Sequence, residues 1–257
     1  MLNFRTTTIL FVLIIAALTV VHTFILFPFY IFILIIFLYS FVIFLGSTYI
    51  AWNFYLKSLC SANTTEKKIA ITFDDAPNCD FTPPLLEFLA KNNIQTTFFC
   101  IGKNIENNKN LILDIDAAGH IIGNHSYSHH FWFDLYSSKK IKNEIEETNS
   151  IIFKLINKTP KLFRPPYGVT NPNFKKAIEQ TGMTSIGWSL RTFDTKNISA
   201  ETILIKIKKH LKPGDIILFH DSHKNILPLL NELIVYLKNI NYQVVGLEEL
   251  LKINAYE

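Results

Sequence analysis

The chain has 257 residues, a net charge of +4 and 49% apolar side chains. Only Arg5 is charged before residue 57, which leaves 24 basic and 21 acidic side chains, net +3, in the remainder; no clustered basic face is available for a nucleic acid. Three cysteines, at 60, 79 and 100, have no CxxC spacing, cannot form a disulfide framework, and read as free thiols.

Residues 8–56 contain no Asp, Glu, Lys or Arg over 49 positions. One membrane-spanning helix needs about 20 apolar residues, so this run suits two, near 7–26 and 29–50, with a turn at Pro28. Tyr49, Trp52 and Tyr55 fall where amphipathic rings collect at the lipid–water interface. A cleavable signal peptide fits less well, because the apolar stretch far exceeds an h-region and lacks a small-x-small cleavage site. The expectation is a transmembrane hairpin over residues 1–56 that holds the protein in the cell membrane against lipid, followed by a linker at 57–66. Arg5 precedes the first span, and Lys57, Lys67 and Lys68 follow the second. Taken alone, the positive-inside rule puts both flanks in the cytosol.

From residue 67 to 257 the pattern alternates. Apolar runs at 69–73, 96–101, 120–123, 183–188, 215–219 and 243–246 predict strands, with a short run at 161–163. Amphipathic stretches at 82–92, 104–118, 137–157, 171–181, 200–210 and 225–239 predict helices. "PNFKKAIEQTGM" carries a proline early in a helix and a glycine just past its end, and "LKPGDIILF" a Pro-Gly turn into a buried strand. Such β–α alternation argues for a parallel sheet with helical crossovers, whose chemistry sits where strands run into the following loops.

The unusual polar residues fall at those strand ends. Asp74 and Asp75 close the first strand in "AITFDDAPNC". Neighbours on a strand face opposite ways and like charges repel, so two carboxylates here suit two jobs, one holding a metal and one moving a proton. His125 and His129, in "GNHSYSHH", share a face if the turn is helical and with one carboxylate make a two-histidine, one-carboxylate site for Zn²⁺ or a similar ion; taken alone, most such pairs are surface or capping histidines. Arg164, before Pro165-Pro166, is placed to pin a carboxylate, or else makes a solvent salt bridge. Asp194 is placed to orient a histidine, or caps a helix. His220, ending "DIILF", suits a general acid, or is a satisfied core histidine. His130 cannot face the same way as both His125 and His129, and His22, His120, His210 and His223 have no partner pattern.

TFDDAP (72–77), HSYSH (125–129), RPPYG (164–168), RTFDT (191–195) and LFH (218–220), in this order, resemble the polysaccharide deacetylases, the NodB-homology domain of carbohydrate esterase family four. The resemblance covers about residues 67–252 and implies a distorted (β/α) barrel of about seven repeats. By resemblance Asp74 is the base that deprotonates water, Asp75, His125 and His129 hold a divalent metal, most often zinc, Arg164 holds the base, and Asp194 orients the general acid His220. The backbone near Tyr167 belongs to the oxyanion site and Leu218 to the wall of an acetyl pocket. The implied reaction is hydrolysis of the N-acetyl group of an amino sugar, in a cell-wall polysaccharide or a lipid-linked glycan, releasing acetate. The alternatives are an O-deacetylase, a catalytically inactive glycan-binding module, and an Fe(II) oxygenase that would leave Asp74, Arg164 and His220 without roles. Three positions depart from the family pattern: Ala76 stands for Gly, Arg191 for Asp and Thr195 for Trp.

Overall fold

The structure is a computed structural model that describes residues 3–196, 198–221 and 226–257. His223, and residue 225 at the start of the last expected helix, lie outside these. Two apolar helices come first, α1 (Phe4–Phe24) and α2 (Tyr30–Thr48). Asn3 and Thr6 form a reciprocal capping box at the start of α1, which satisfies amide groups the first turn leaves open. The helices touch through Thr8 Oγ1 and Tyr39 Oη, 2.9 Å apart, and through Phe11 stacked on Tyr39 at 4.1 Å. Both are apolar around their whole circumference, yet no residue of α1 and only Gly46 of α2 is buried. At about 1.5 Å rise per residue, each is long enough to cross a hydrocarbon layer.

The base of this hairpin is fastened to later parts of the chain. The Phe4 amide donates to the Phe54 carbonyl at 2.9 Å. Ser47 Oγ donates to the Thr170 carbonyl at 2.7 Å, and the Thr170 amide donates back to the Ser47 carbonyl at 3.0 Å. A Cβ at Gly46 would stand 2.3 Å from the Phe54 ring, so this close approach needs a glycine.

Eight strands form the remainder of the framework, β1 (Lys68–Ala76), β2 (Thr97–Cys100), β3 (Ile121–Asn124), β4 (Leu162–Phe163), β5 (Thr184–Ser185), β6 (Leu190–Arg191), β7 (Ile216–His220) and β8 (Gln243–Val244). All paired strands are parallel, in the order β5-β4-β3-β2-β1-β7-β6, with β8 beside the start of β1. Helices α3 (Thr82–Asn92), α4 (Gly102–Asn107), α5 (Lys109–Ala117), α6 (Ser138–Ile156), α7 (Pro172–Thr181), α8 (Ala200–His210), α9 (Ile226–Asn239) and α10 (Leu247–Leu251) surround this sheet. The arrangement is the expected distorted (β/α) barrel, left open along one side. The period of two sorts β1 into two faces. Ile69, Ile71 and Phe73 join the core formed with Leu85, Leu89, Leu229 and Leu233. Thr72 and Asp74 face the other way, level with Leu218 and His220 of β7.

Three expectations are corrected. The predicted strand at 183–188 shortens to β5, with β6 following it unpredicted at 190–191; between them the carbonyls of Ile186 and Gly187 accept from Arg164 Nε (3.4 Å) and Nη2 (2.9 Å). The predicted helix at 104–118 is α4 and α5, broken at Asn108, whose φ of −138° and ψ of 47° are not helical. The segment at 57–66 is not a free linker. Ser58 Oγ lies 2.8 Å from Ser185 Oγ, Leu59 bridges Ile186, and Ser61 bridges Asp215, so the segment runs along the open side of the sheet. Leu56, just before it, is buried with Phe163 and Phe174. A chain beginning at residue 67 is therefore expected to melt roughly 5–10 °C below one beginning at residue 53, as measured by thermal unfolding; equal melting points would show that this pairing adds nothing.

Candidate active site

The strand ends bring the candidate residues together. Asp74 and Asp75 immediately precede Ala76, the last residue of β1, and Asp75 has φ 67°. A regular strand would send the two carboxylates to opposite faces; with this left-handed residue both approach His125 Nε2, Asp74 Oδ2 at 3.8 Å and Asp75 Oδ1 at 3.6 Å. Ala76 does not have positive φ, so an alanine there meets no backbone penalty.

Asp74 is buried, and Arg164, completely buried, donates from Nη1 to Asp74 Oδ1 at 2.7 Å and to Thr72 Oγ1 at 2.8 Å. The guanidinium also lies over the Phe99 ring at 4.1 Å. Burial pushes the Asp74 carboxyl up, but Arg164, with His125 and His220 behind it, holds it below the usual carboxylate range. Asp74 is thus an anion fixed in place.

Asp75 has a different neighbourhood. Its Oδ1 lies 3.6 Å from His125 Nε2 and 3.5 Å from His129 Nε2, and is buried with no hydrogen-bond donor among the described residues. The three ligand atoms lie within 4.8 Å of one another. An orphaned carboxylate oxygen facing two imidazole nitrogens is what a divalent cation completes. His125 Nδ1 sits 2.8 Å from the Arg164 carbonyl, which makes Nδ1 the protonated nitrogen and leaves Nε2 as the acceptor side. Burial and the adjacent His125 push His129 down to about 4, so its ring is neutral near pH 7. These residues fit a metal centre.

The "HSYSH" segment is not one helical turn. Ser126 (φ 65°) and His129 (φ 43°) are left-handed, and the loop is tied rather than coiled. The Ser126 amide donates to Asn124 Oδ1 at 2.8 Å and the His129 amide to Ser126 Oγ at 3.1 Å. Glu144 of α6 accepts from the amides of Tyr127 (3.2 Å) and Ser128 (2.8 Å) and from Ser128 Oγ. Sequence reasoning missed Glu144, though a signal existed: it falls among Ile141, Ile145, Thr148 and Ile152, on the buried stripe of an otherwise solvated helix. Asn104, also missed, donates to the Asp75 carbonyl at 2.8 Å.

Across β1, His220 stands level with Asp74 at the end of β7. Its Nδ1 lies 2.9 Å from Asp194 Oδ1, and its amide donates to Asp194 Oδ2 at 2.7 Å. Thr192 Oγ1 lies 2.8 Å from Asp194 Oδ1 and 2.7 Å from the Leu218 carbonyl, and fixes the carboxylate further. Burial pushes His220 down, but Asp194 outweighs it and the ring sits above the ordinary histidine range. Leu218 is buried on the same face of β7 as His220. Tyr167, at φ 60°, presents its ring 4.7 Å from His129 and is 41% exposed. His130 is turned to solvent, and His120 is buried with Nδ1 accepting from the Thr96 amide at 3.3 Å. Arg191 lies over Trp188 (5.4 Å) and Phe193 (4.9 Å), and Thr195 is exposed.

Fold and site together define an α/β barrel with a two-histidine, one-carboxylate centre beside an arginine-held carboxylate and an aspartate-held histidine. Residues 61–186 match the family described as polysaccharide deacetylase. A peptidoglycan-N-acetylglucosamine deacetylase of Bacillus cereus is 38% identical over 156 residues, covering 60% of this chain and 56% of that protein. The chain thus spans little more than half of that relative's length. A second peptidoglycan-N-acetylglucosamine deacetylase of Bacillus cereus is 34% identical over 192 residues, with 73% of this chain aligned to 89% of it. A crystal structure of a peptidoglycan N-acetylglucosamine deacetylase in complex with 4-naphthalen-1-yl-N-oxidanyl-benzamide superposes with a TM-score of 0.74 at 31% identity, covering 78% of this chain and 95% of that one. The chain belongs to the polysaccharide deacetylase family.

Proposed function

We propose that this protein is a metal-dependent deacetylase that hydrolyses the N-acetyl group of an amino sugar in a cell-wall glycan or its lipid-linked form, with residues 67–257 as the catalytic domain and residues 1–56 as a membrane hairpin. The observation that carries it is the division between the adjacent carboxylates: Asp74 is held by Arg164 at 2.7 Å, while Asp75 Oδ1 faces His125 and His129 with no donor of its own among the described residues. Relatives named as peptidoglycan deacetylases support the substrate class.

Asp75, His125 and His129 would hold the cation, zinc being the best match to two imidazoles and a carboxylate. When bound it supplies a Lewis acid that polarises an acetyl carbonyl and acidifies water. Asp74 takes the proton from the attacking water. Its low pKa keeps it ionised for that task, and Arg164 keeps its direction. The backbone at Tyr167 belongs beside the developing oxyanion, and Leu218 forms an apolar wall for the acetyl methyl. His220 gives a proton to the departing amine, so that acetate and a free amino sugar leave. Asp194 holds the ring by Nδ1 and raises its pKa.

Full-length protein is expected to release acetate from an N-acetylglucosamine tetramer, to stop when a chelator removes the metal, and to recover with Zn²⁺ or another divalent ion. Metal-loaded protein that releases no acetate from N- or O-acetylated glycans would overturn the deacetylase reading and leave the binding-module and Fe(II)-oxygenase readings. The pH profile tests the acid. His220 must be protonated to act, and its raised pKa carries activity into more alkaline solution. Asp194→Asn removes the group that raises it and leaves burial, which lowers it, so the alkaline limb of kcat/KM is expected to move to lower pH. An unmoved limb would assign it to another group.

A further inference from the structure

Close in sequence to His129 the chain carries an exposed apolar rim that the reaction does not use. Residues 131–135 begin two positions after His129. Phe131, Trp132 and Leu135 are 69%, 56% and 70% exposed, with the Phe131 and Trp132 rings packed edge to face at 4.7 Å. Large apolar side chains gathered in the open mark a surface that meets something other than water.

The rim is held, and the holding runs to the hairpin. Phe133 is completely buried with Phe163 and Phe174. Asn171 Nδ2 donates to the Asp134 carbonyl at 2.6 Å, and Asn173 Nδ2 to the Tyr136 carbonyl at 3.1 Å. These asparagines open α7, directly after Thr170, which exchanges two hydrogen bonds with Ser47 in the last turn of α2. A short chain of direct contacts therefore joins the rim to the end of an apolar helix. Along α7, Arg5, Lys57, Lys175 and Lys176 line one cavity together with Glu179, which lies 3.9 Å from Lys175, and exposed Tyr49 and Trp52 stack at 5.3 Å. Cations and aromatic rings at the end of an apolar span are the composition of a lipid headgroup layer's protein boundary.

We propose that residues 131–135 seat in the interfacial layer of the membrane that the hairpin spans, so that the site opens at the bilayer surface and takes an acetamido sugar carried on a lipid phosphate. The occupant of the rim is lipid, because the rim continues the apolar and cationic boundary of the hairpin and shares its attachment. This rests on the hairpin and deacetylase readings above, and the experiment separates the three.

The chain has three tryptophans, and two of them, Trp52 and Trp132, report the hairpin and the rim. Full-length protein is placed in vesicles of phosphatidylcholine and phosphatidylglycerol with brominated acyl chains, and quenching is compared with the Trp132→Phe and Trp52→Phe variants. Each substitution is expected to remove part of the quenchable emission. Loss with Trp52→Phe alone overturns the seating of the rim and leaves the hairpin intact; loss with neither removes the hairpin and this proposal together. A second arm compares acetate release by wild type and by a Phe131→Ser, Trp132→Ser, Leu135→Ser variant. Release from vesicle-borne N-acetylglucosamine on a polyprenyl diphosphate should fall about tenfold, and release from the soluble tetramer should stay within about twofold, since only the first substrate uses the membrane seat. Equal losses on both substrates make the rim a sugar platform and overturn the proposal. A wild type inactive on both refutes the deacetylase reading and, with it, the substrate named here.

Discussion

Replacing Asp74 with asparagine is expected to lower kcat by about a thousandfold, within the range that a positioned general base contributes, while metal content stays at the wild-type level. The geometry separates this variant from its neighbour. Asp74 makes its short contact with Arg164 and is 3.8 Å from His125 Nε2, whereas Asp75 Oδ1 is the oxygen that faces both histidines. Asp75→Asn should therefore lose metal, and Asp74→Asn should keep it. Asp74→Asn also leaves the Arg164 guanidinium buried without its counter-charge, so the folded state should lose about 3–5 kcal/mol, the usual effect of breaking a buried pair from one side. Metal analysis, steady-state kinetics and denaturant unfolding on the two variants give all three readings. Equal metal loss in both would refute the division of labour.

The second large effect lies in the histidines. His125→Ala or His129→Ala is expected to abolish both bound metal and acetate release, because two protein ligands rarely retain a cation that three hold. His125→Ala carries an added structural effect, since His125 Nδ1 contacts the Arg164 carbonyl at 2.8 Å and links the metal centre to the residue that steadies the base. His129 is less enclosed, with its ring beside exposed Tyr167, so its alanine variant should fold normally and isolate the loss of metal. Full occupancy in either variant, measured by metal analysis of purified protein, would remove that residue from the ligand set.

Much of the barrel was legible because its strands are bounded by turn residues and end in polar clusters. Asp74, Asp75, His125, His129, Arg164, Asp194 and His220 were each placed at a strand end by pattern, and all meet around one mouth. What the sequence hid depends on contacts between distant segments. Ser58 and Leu59 read as linker because nothing local says that Ser185 and Ile186, more than a hundred residues later, need partners. The two-residue strand β6 carries too few positions for a period to show. At Ile186 and Gly187, between β5 and β6, a distant side chain, Arg164, claims the carbonyls. The HxxxH spacing suggested one helical turn, whereas the histidines converge through a loop fixed by Glu144, a residue whose meaning lies in the helix stripe it interrupts.

Four residues at the mouth, Asp75, Ser126, His129 and Tyr167, hold positive φ without being glycine. Such conformations cost of order 1 kcal/mol or more apiece and persist where surrounding structure enforces them. The barrel therefore carries its chemistry as a load on its own stability. A gene copy released from selection for hydrolysis would gain by giving these positions to glycine or asparagine, well before its apolar core changed. Within this lineage, replacement at these left-handed positions should be the earliest mark of a branch that has abandoned catalysis while keeping its shape.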